Sequence, residues 1–344
     1  MGEERTFSGR IWNGRTFEDG YLAVESGIIT DLVFGEGLRG ADFEGCIMPG
    51  IVDTHTHVAD SGLVLDRRYE LEELVAPPNG LKHRYLRDTD ASVIKRNIRD
   101  YGFRLNDFGE SRYIDFREGG AEGARMLREV SDEAVILGRP VSEHYDANEI
   151  DDILSVADGI GIPSITDMDH GYIEAIADHV HRKNKMLALH VSERIREDID
   201  FVISLEPDLI VHMVQATDSD LSRCADNDVP ISVCPTSNLY FGVVPPVGRM
   251  LDAGVDVSLG TDNGMLFPSG DYISEIRVLA DVLASQGKDR NDAFGIALAC
   301  GHKVLYNEPL ILSKTGKRAD FTAFPCSEED ILTGGVPGSV RYGP

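Results

Sequence analysis

The chain has 344 residues, 42% of them hydrophobic, and a formal net charge of −26. This length suits one large α/β domain with a smaller partner, and the negative charge argues against nucleic acid as a partner because it repels polyanions. No run approaches the roughly 18 apolar residues of a membrane helix, and the first ten residues lack the apolar core of a signal peptide. We therefore expect no membrane association and a cytoplasmic location.

The charged residues and the cysteines indicate the compartment. Only eight residues are lysine, and an acidic, lysine-poor surface is typical of adaptation to a salt-rich cytoplasm. The five cysteines never form a C-x-x-C pair, which argues against a disulfide framework and a thiolate zinc site. We expect reduced and mostly buried thiols at Cys46, Cys224, Cys234, Cys300 and Cys326.

Residues 1–48 have the pattern of short β-strands separated by turns. β-branched and aromatic residues lie between Gly, Asn and Asp, as in strands bounded by turns. The stretch GEGLRG, from Gly35 to Gly40, matches the dinucleotide-binding pattern G-x-G-x-x-G, but no helical pattern follows it. We predict a turn there and no nucleotide site.

After Pro49, eight short apolar runs alternate with amphipathic helical segments. Apolar runs without a polar face indicate parallel strands covered by helices on both sides. Eight such repeats predict a (β/α)8 TIM barrel. The runs are IVDTHTHV, RYIDF, AVILGRPV, GIGIPSI, MLALHVS, LIVHMV, PISVC and DVSLGTD.

Three segments lie outside this alternation. Residues 59–110, with a helix predicted in DASVIKRNIRDYGF, are inserted after the first strand, where a barrel has its mouth. Beyond the eighth strand, DYISEIRVLADVLASQG and RNDAFGIALACGHKVLY predict two helices, and GKRADFTAFP returns to a strand pattern. We predict a barrel over residues 49–307 and a small β-sandwich built from residues 1–48 and 308–344.

Polar side chains recur at the carboxyl ends of four predicted strands. Alternate side chains of a strand share a face, so His55 and His57 in GIVDTHTHV point the same way. The fifth, sixth and eighth strands end in LALHVSE, LIVHMV and VSLGTDNG, and the carboxyl ends of barrel strands meet at one mouth. The residues brought together in this way are His55, His57, His190, Glu193, His212 and Asp262.

This set of side chains indicates a metal site. Imidazole and carboxylate ligands suit Zn²⁺ or Fe²⁺ with an open position for water. Water on such an ion has its pKa lowered from about 15.7 to about 7, so it becomes a nucleophile at neutral pH. We expect one divalent metal ion, zinc or iron, and a hydrolytic reaction.

Several motifs together resemble the amidohydrolase superfamily, in particular its mononuclear aminohydrolase and chlorohydrolase branch, which includes cytosine, guanine and adenosine-type deaminases. They are MPGIVDTHTHV, HVSE, VHMV, CPTSNLYFG, VGRMLDAGVDVSLGTDN and GKRADF. The resemblance covers both chain ends and strands one and five to eight. It implies a TIM barrel with a small β-sandwich and a small heterocyclic substrate.

The resemblance also implies roles for individual residues. The residues that match the metal ligands are His55, His57, His190 and Asp262. His212 matches a histidine that contacts the metal-bound hydroxide or a substrate oxygen, and Glu193 matches a glutamate that carries a proton to the substrate ring nitrogen.

The number of metal ions follows from the fourth strand. Binuclear members of the superfamily have a carboxylated lysine at the end of this strand, whereas here it ends SITDMDHG, without lysine. One ion is therefore expected, and Asp169 and His170 leave a second site open.

The implied reaction is the release of ammonia from an aminated nitrogen heterocycle. Metal-bound hydroxide attacks the ring carbon, Asp262 accepts the water proton and Glu193 protonates the adjacent nitrogen. Opening of a cyclic amide or imidazolone ring uses much the same residues, and displacement of chloride from an aromatic ring is a third version. A non-catalytic barrel would have lost ligands that this chain retains.

Other polar residues near the predicted mouth are candidates for substrate contacts. They are Arg117 and Glu118 after the second strand, His144 after the third, Lys82 and His83 in the insertion, and Asn238 after the seventh. Structural ion pairs explain the charged residues equally well, and Asn238 could instead orient Asp262 or its own loop. A homo-oligomer is common among large barrels, and nothing in the sequence sets its size.

Overall fold

The structure is a computed structural model that describes residues 4–306, 312, 316–334 and 338–342. About a third of the predicted C-terminal segment 308–344 therefore lies outside the described residues. The chain divides into two compact units. The first comprises Met1–Val52, Arg104–Arg112 and Asp271–Pro344, and the second comprises Asp53–Phe103 and Tyr113–Gly270.

This division differs from the predicted one, which assigned residues 49–307 to the barrel. The helices after Asp271 group with the first unit. One reason is visible at Arg277, whose Nε donates to the carbonyl of Ile331 at 2.6 Å.

The first unit contains a six-stranded mixed sheet from both ends of the chain. Its strands are β1 (Glu4–Trp12), β2 (Phe17–Glu25), β3 (Ile28–Phe34), β4 (Phe43–Pro49), β14 (Phe321–Phe324) and β15 (Val340–Tyr342). The order is β15-β14-β4-β1-β2-β3, with β1 antiparallel to β2 and parallel to β4. The side chains at its centre are buried, among them Phe7, Ile11, Leu22, Ile47 and Phe321.

Two predictions for this unit can be compared with the sheet. Both chain ends contribute strands, but within the described residues they form one continuous sheet instead of the two sheets of a sandwich, because β4 pairs with both β1 and β14. The GEGLRG stretch lies in the loop between β3 and β4, so no helix follows it, as predicted.

The second sheet has nine parallel strands, and their order follows the chain from β5 to β12. The strands are β5 (Ile51–His57), β6 (Glu110–Arg117), β7 (Ala134–Gly138), β8 (Gly159–Ile162), β9 (Met186–Val191), β10 (Leu209–His212), β11 (Ile231–Val233), β12 (Val257–Leu259) and β13 (Asp262–Asn263). Each of the eight predicted runs contains a strand. The eighth run contains two, since Gly260 and Thr261 separate β12 from β13.

The interruption in the eighth run has a steric cause. β12 pairs with β11, whereas β13 pairs with β5. A Cβ atom at Gly260 would lie 2.7 Å from the Cβ of His55, so the chain passes β5 too closely for a side chain at this position. Glycine therefore permits the approach that brings Asp262 alongside β5.

Helices follow the strands of this sheet and fill the inserted segment. Those after the strands are α4 (Gly120–Arg128), α5 (Ala147–Leu154), α6 (His170–Arg182), α7 (Ile199–Ser204), α8 (Asp218–Asp226), α9 (Pro235–Tyr240) and α10 (Val247–Ala253). The insertion contains α1 (Leu71–Val75), α2 (Leu81–Asp88) and α3 (Ala91–Asp107), and α3 is the helix predicted there.

The remaining helices lie in the first unit. They are α11 (Tyr272–Ser285), α12 (Asp292–Gly295), a π-helical turn at Ile296–Cys300, α13 (Gly301–Tyr306) and α14 (Glu328–Thr333). No helix in the part of the chain that the structure describes is long and apolar enough to cross a membrane. All five cysteines are free thiols, and Cys46, Cys224 and Cys234 are buried.

The N-terminus of α8 gives a testable dependence of stability on pH. Arg196 donates two hydrogen bonds of 2.7 Å to Asp220 and holds the pKa of this carboxyl at about 2, below its ordinary 3.8. Asp220 also completes the capping box with Thr217. Since the pKa is lower in the folded state, the ionised carboxylate stabilises the fold above the unfolded pKa, and this contribution is lost as the pH falls.

We expect Asp220→Asn to lower the free energy of unfolding by about 1 kcal/mol at pH 7. The difference from the wild type should narrow between about pH 5 and pH 2, where Asp220 loses its charge. Urea denaturation across this range measures the effect. A constant difference would mean that the ionised form contributes nothing.

Candidate metal centre

Four histidines and one aspartate from four strands converge at the carboxyl edge of the nine-stranded sheet. Their ligand atoms form two overlapping groups, and within each group all atoms lie within 4.8 Å of one another. The groups are His55, His57 and His190, and His55, His212 and Asp262. Asp262 Oδ1 lies 3.3 Å from His55 Nε2 and 3.6 Å from His57 Nε2, so these three side chains face a common point.

The hydrogen bonds of two histidines determine which ring nitrogen is free. His57 Nδ1 lies 2.9 Å from the carbonyl oxygen of Phe116 and 3.0 Å from Glu118 Oε1, and both atoms are acceptors. His190 Nδ1 donates to the carbonyl of Ile162 at 3.1 Å. The proton is therefore on Nδ1 in both rings, which leaves the Nε2 lone pairs available to a metal ion.

His55 provides the test of whether a metal fits. Its side chain is fully buried, and within the described chain neither ring nitrogen makes a hydrogen bond. Burial lowers the pKa of His55 to about 3, so the imidazole is neutral at pH 7. A buried nitrogen without a partner is costly, whereas a neutral imidazole is a good ligand. These residues fit a divalent cation.

The aspartate is held in place by its neighbours. Ser237 Oγ donates to Asp262 Oδ2 at 2.5 Å, and Asn263 Nδ2 donates to Oδ1 at 2.8 Å. Burial alone would raise the pKa of Asp262. The adjacent imidazoles, among which His55 has the largest effect, instead hold this pKa well below its usual range. The carboxylate is therefore ionised and can act as a ligand or accept a proton.

The backbone is left-handed at the strand ends that form the centre. φ is +76° at His212, +63° at Asp262 and +52° at Ser192. Non-glycine residues adopt this region at a cost of order 1–3 kcal/mol, and such residues cluster at functional sites. The residues that follow two of these positions, Glu193 and Asn263, line the cavity.

Glu193 lies beside His212, one of the converging metal-ligand side chains. Glu193 Oε1 is 3.8 Å from His212 Nε2, and burial raises the pKa of Glu193. Asn238, which is buried, places its amide nitrogen 3.5 Å from His212 Nδ1. A carboxyl group with a raised pKa is suited to give and take protons near neutral pH.

These side chains line one cavity, which holds about 790 Å³ of empty space including its part open to solvent. His57, His190, His212, Glu193 and Asp262 form part of its lining, and the inserted segment contributes others, including Leu71 and Val75. The cavity gives a small molecule access to the donor atoms.

Comparisons with known proteins show what the chain is similar to. No family model matches it. A putative aminohydrolase of Methanothermobacter thermautotrophicus is 29% identical over 74% of this chain and 73% of its own length. A 5-methylthioadenosine/S-adenosylhomocysteine deaminase of Bacillus cytotoxicus is 25% identical over 76% of this chain and 69% of its own length. Over about three quarters of its length the chain is therefore similar to an aminohydrolase and a deaminase.

Solved structures support this similarity at the level of the fold. The crystal structure of guanine deaminase from C. acetobutylicum with bound guanine superposes with a TM-score of 0.73, covering 94% of this chain and 91% of that one. With a sequence identity of only 16%, this superposition shows a shared fold. The earlier resemblance to the amidohydrolase superfamily is thus confirmed.

Two of the candidate substrate contacts form an ion-pair network beside His57. Lys82 and Glu118 are both buried, and Lys82 Nζ lies 2.6 Å from Glu118 Oε1, the oxygen that contacts His57. Lys82 also lies 3.4 Å from Asp60 Oδ2 and donates to Asn263 Oδ1 at 3.0 Å. The network links the inserted helix α2 to residues beside the metal centre.

Breaking this network is expected to destabilise the protein strongly. In Lys82→Met the Glu118 carboxylate loses its main cation in a buried setting, which should lower the free energy of unfolding by about 3 kcal/mol. Lys95→Met is the matched control, because Lys95 pairs with Glu129 on the surface. This substitution should lower the free energy of unfolding by less than about 1 kcal/mol. Urea denaturation of the metal-free variants measures both, and equal effects would contradict a role for the buried pair.

The other candidates occupy different surroundings. His83 lines the cavity, with Nε2 3.1 Å from the carbonyl oxygen of Val75. Arg117 is buried, donates to the carbonyl of Gly123 at 3.1 Å and lines a second cavity, but it is not among the residues that line the metal-centre cavity. His144 is exposed and is not among the residues that line either cavity.

The suggested second metal site does not come together in the described residues. Asp169 caps helix α6 by accepting from the backbone of Tyr172, and His170 is exposed and stacks on Phe201 at 3.9 Å. Both metal-ligand groups in the described residues contain His55. The geometry therefore favours one metal centre.

Sequence reasoning overlooked three residues of the site. Ser237 and Asn263 are sequence neighbours of Asn238 and Asp262 and hold the aspartate, a role that adjacency to a predicted ligand could have signalled. Arg139 directly follows β7 and lines the cavity. Its position at a strand end was a usable signal, like that of Glu118 after β6.

Proposed function

We propose that this protein is a metal-dependent aminohydrolase that releases ammonia from an aminated nitrogen heterocycle. The observation that carries the proposal is the convergence of metal-ligand side chains beside Glu193 in one cavity. The related aminohydrolase and deaminase support the same reaction class. The proposed active-site residues are His55, His57, His190, Glu193, His212 and Asp262.

The proposed architecture is a closed TIM barrel of eight strands. In this interpretation residues 257–263 form one strand that is interrupted at Gly260. The pairing of β12 with β11 and of β13 with β5 supports it, because both ends of the strand order then belong to one strand.

The proposed metal is one divalent ion, zinc or iron, held by His55, His57, His190 and Asp262. Both metals accept imidazole and carboxylate ligands. When bound, such an ion lowers the pKa of water to about 7 and so supplies a nucleophile at neutral pH. Nδ1–H donation by His57 and His190 supports this arrangement, because it turns both Nε2 atoms toward the ion.

Protein side chains would accept and donate the protons of the reaction. Asp262 accepts a proton from the attacking water, since it is ionised and held by Ser237 and Asn263. Glu193 delivers a proton to the ring nitrogen beside the attacked carbon, and the amino group then leaves as ammonia after a second proton transfer. His212, 3.8 Å from Glu193, is positioned to hydrogen-bond the oxygen that adds to the ring.

An ammonia-release screen tests the proposal. The metal-loaded protein is incubated with aminated purines, purine nucleosides, pyrimidines, pterins and triazines in high and low salt, beside the chelator-treated protein. We expect ammonia from at least one compound, and only with metal. A salt optimum well above physiological ionic strength would support the proposed salt adaptation.

Other products would redirect the assignment. A new carboxylate without ammonia would support ring opening of a cyclic amide or imidazolone, and released chloride would support an aromatic chlorohydrolase. If the loaded protein holds one equivalent of metal yet converts nothing, the aminohydrolase proposal is contradicted.

A further inference from the structure

Arg139 lines the metal-centre cavity without a bonded partner. The residue follows β7 and is partly buried, and across the described residues its guanidinium makes no hydrogen bond or ion pair, although Glu118 and Asp167 lie near enough to interact with its charge. The two other cations in the cavity lining are paired. Lys82 contacts Glu118, and Arg194 lies 2.8 Å from Asp167 Oδ1 and also contacts Glu72.

The carboxylates near Arg139 already have partners. Glu118 contacts Lys82 and His57. Asp167 pairs with Arg194, and Glu197 accepts from the backbone amides of Thr166 at 2.9 Å and Ser192 at 2.8 Å. These three carboxylates are therefore engaged by other groups, and among the described residues none of them forms a hydrogen bond or ion pair with Arg139.

An unpaired arginine in such a place is costly. Burial lowers the pKa of Arg139, but a guanidinium stays protonated at any physiological pH. A partly buried charge that is neither ion-paired nor hydrogen-bonded is less favourable than a paired one, so the arrangement indicates a group that arrives with the ligand.

Arg139 lies where a ligand at the metal centre could reach it. Besides the metal-centre cavity, it lines the second cavity, of about 1330 Å³ including its part open to solvent. The two cavities share Pro77, His83, Glu118 and Arg139. Beyond Arg139 the second cavity is lined by apolar side chains such as Leu86 and Met126 and by the charged side chains of Arg87, Arg117 and Glu122. A substituent of a ring at the metal centre would meet the guanidinium at this junction.

We propose that Arg139 binds an anionic group, a carboxylate or a phosphate, carried as a substituent by the aminated heterocycle. The planar guanidinium matches both groups through paired hydrogen bonds. The inference rests on the proposed aminohydrolase function and deepens it, because it names the substrate class as anionic. A free nucleobase would leave Arg139 unpaired and should be a poorer substrate.

Matched pairs of compounds test this inference. S-adenosylhomocysteine, which carries a carboxylate, is compared with 5-methylthioadenosine, and adenosine 5′-monophosphate is compared with adenosine. We expect the wild type to prefer the charged member of at least one pair in kcat/KM by tenfold or more. Arg139→Gln should lower kcat/KM for that member on the order of 10- to 100-fold, and for its neutral partner by less than about threefold.

Two further variants separate charge recognition from general damage. Arg139→Lys keeps the charge without the planar fork and should retain part of the preference. Arg194→Gln also removes a positive charge from the cavity wall, but Arg194 is already paired with Asp167 and Glu72. This variant should leave the ratio of kcat/KM between the charged and neutral compounds unchanged.

A direct binding measurement keeps this inference separable from the proposed reaction. Titration calorimetry follows the four compounds binding to the wild type and to Arg139→Gln, with metal content checked in both. Tighter binding of a charged member that is lost in Arg139→Gln supports the anion site even if no ammonia is released. If neither charged compound binds the wild type more tightly than Arg139→Gln, or if all four lose affinity equally, the inference is overturned.

Discussion

Glu193→Gln is expected to lower kcat for ammonia release on the order of 100- to 10,000-fold while the protein keeps its bound metal. Glutamine has nearly the same shape but has no acidic proton to deliver. Glu193 belongs to neither group of converging ligand atoms, so the metal ligands remain complete. Steady-state kinetics with the substrate found in the screen, together with metal content by elemental analysis, measure both parts.

The raised pKa of Glu193 explains why this residue should matter so much. Burial favours its neutral form, and a carboxyl group that titrates closer to neutrality can both donate and accept a proton during one turnover. Its carboxyl oxygen Oε1 lies 3.8 Å from His212 Nε2, and both residues line the same cavity. A ring bound in this cavity could therefore contact Glu193.

Asp167→Asn is the matched control for this experiment. Asp167 is another carboxylate in the lining of the same cavity, but it pairs with Arg194 at 2.8 Å. Its amide variant should keep kcat within about threefold of the wild type, as expected for a partly exposed ion pair. A fully active Glu193→Gln, or an equal loss in both variants, would remove Glu193 from proton transfer.

Asp262→Asn is expected to reduce affinity for the divalent metal by more than about 100-fold. Substitutions of groups that only hold a metal ligand in place typically lower metal affinity 10- to 100-fold, and loss of an anionic ligand should lower it further. The amide can keep one contact with Ser237 but cannot replace the negative charge near His55 and His57. Competition with a chromogenic chelator measures the affinity, and circular dichroism of the metal-free protein checks the fold.

Ser237→Ala gives this experiment a graded comparison. It removes only the hydroxyl that donates to Asp262 Oδ2, so affinity should fall by about tenfold. We therefore expect metal affinity to decrease from the wild type to Ser237→Ala and further to Asp262→Asn. Wild-type affinity in Asp262→Asn would show that the ion is held without this carboxylate.

The strands were predictable because their signal is local. Apolar runs such as LIVHMV are buried on both faces, and each of the eight runs contains a strand in the structure. The break at Gly260 was not predictable, because it depends on the approach of β5, far away in the chain. The joining of the terminal strands into one sheet also depends on pairing between distant segments, through β4 and β14.

The donor set was predictable for a related reason. In a parallel sheet the carboxyl ends of all strands share one edge, so His190 and Asp262 could be placed near His55 from strand order alone. No such rule predicts whether a charged side chain outside the strands forms an ion pair. Lys82 and Glu118 pair with each other, whereas Arg139 stays unpaired, and only the three-dimensional arrangement distinguishes them.

The position of β13 has a consequence for how the protein is made. His55 and His57 leave the ribosome early, whereas Asp262 belongs to the final strand of the nine-stranded sheet. A growing chain therefore lacks the carboxylate of the donor set until nearly all of this sheet has been synthesised. If this carboxylate is one of the ligands, as we propose, a chain truncated before Asp262 should retain the divalent ion much more weakly than the full chain.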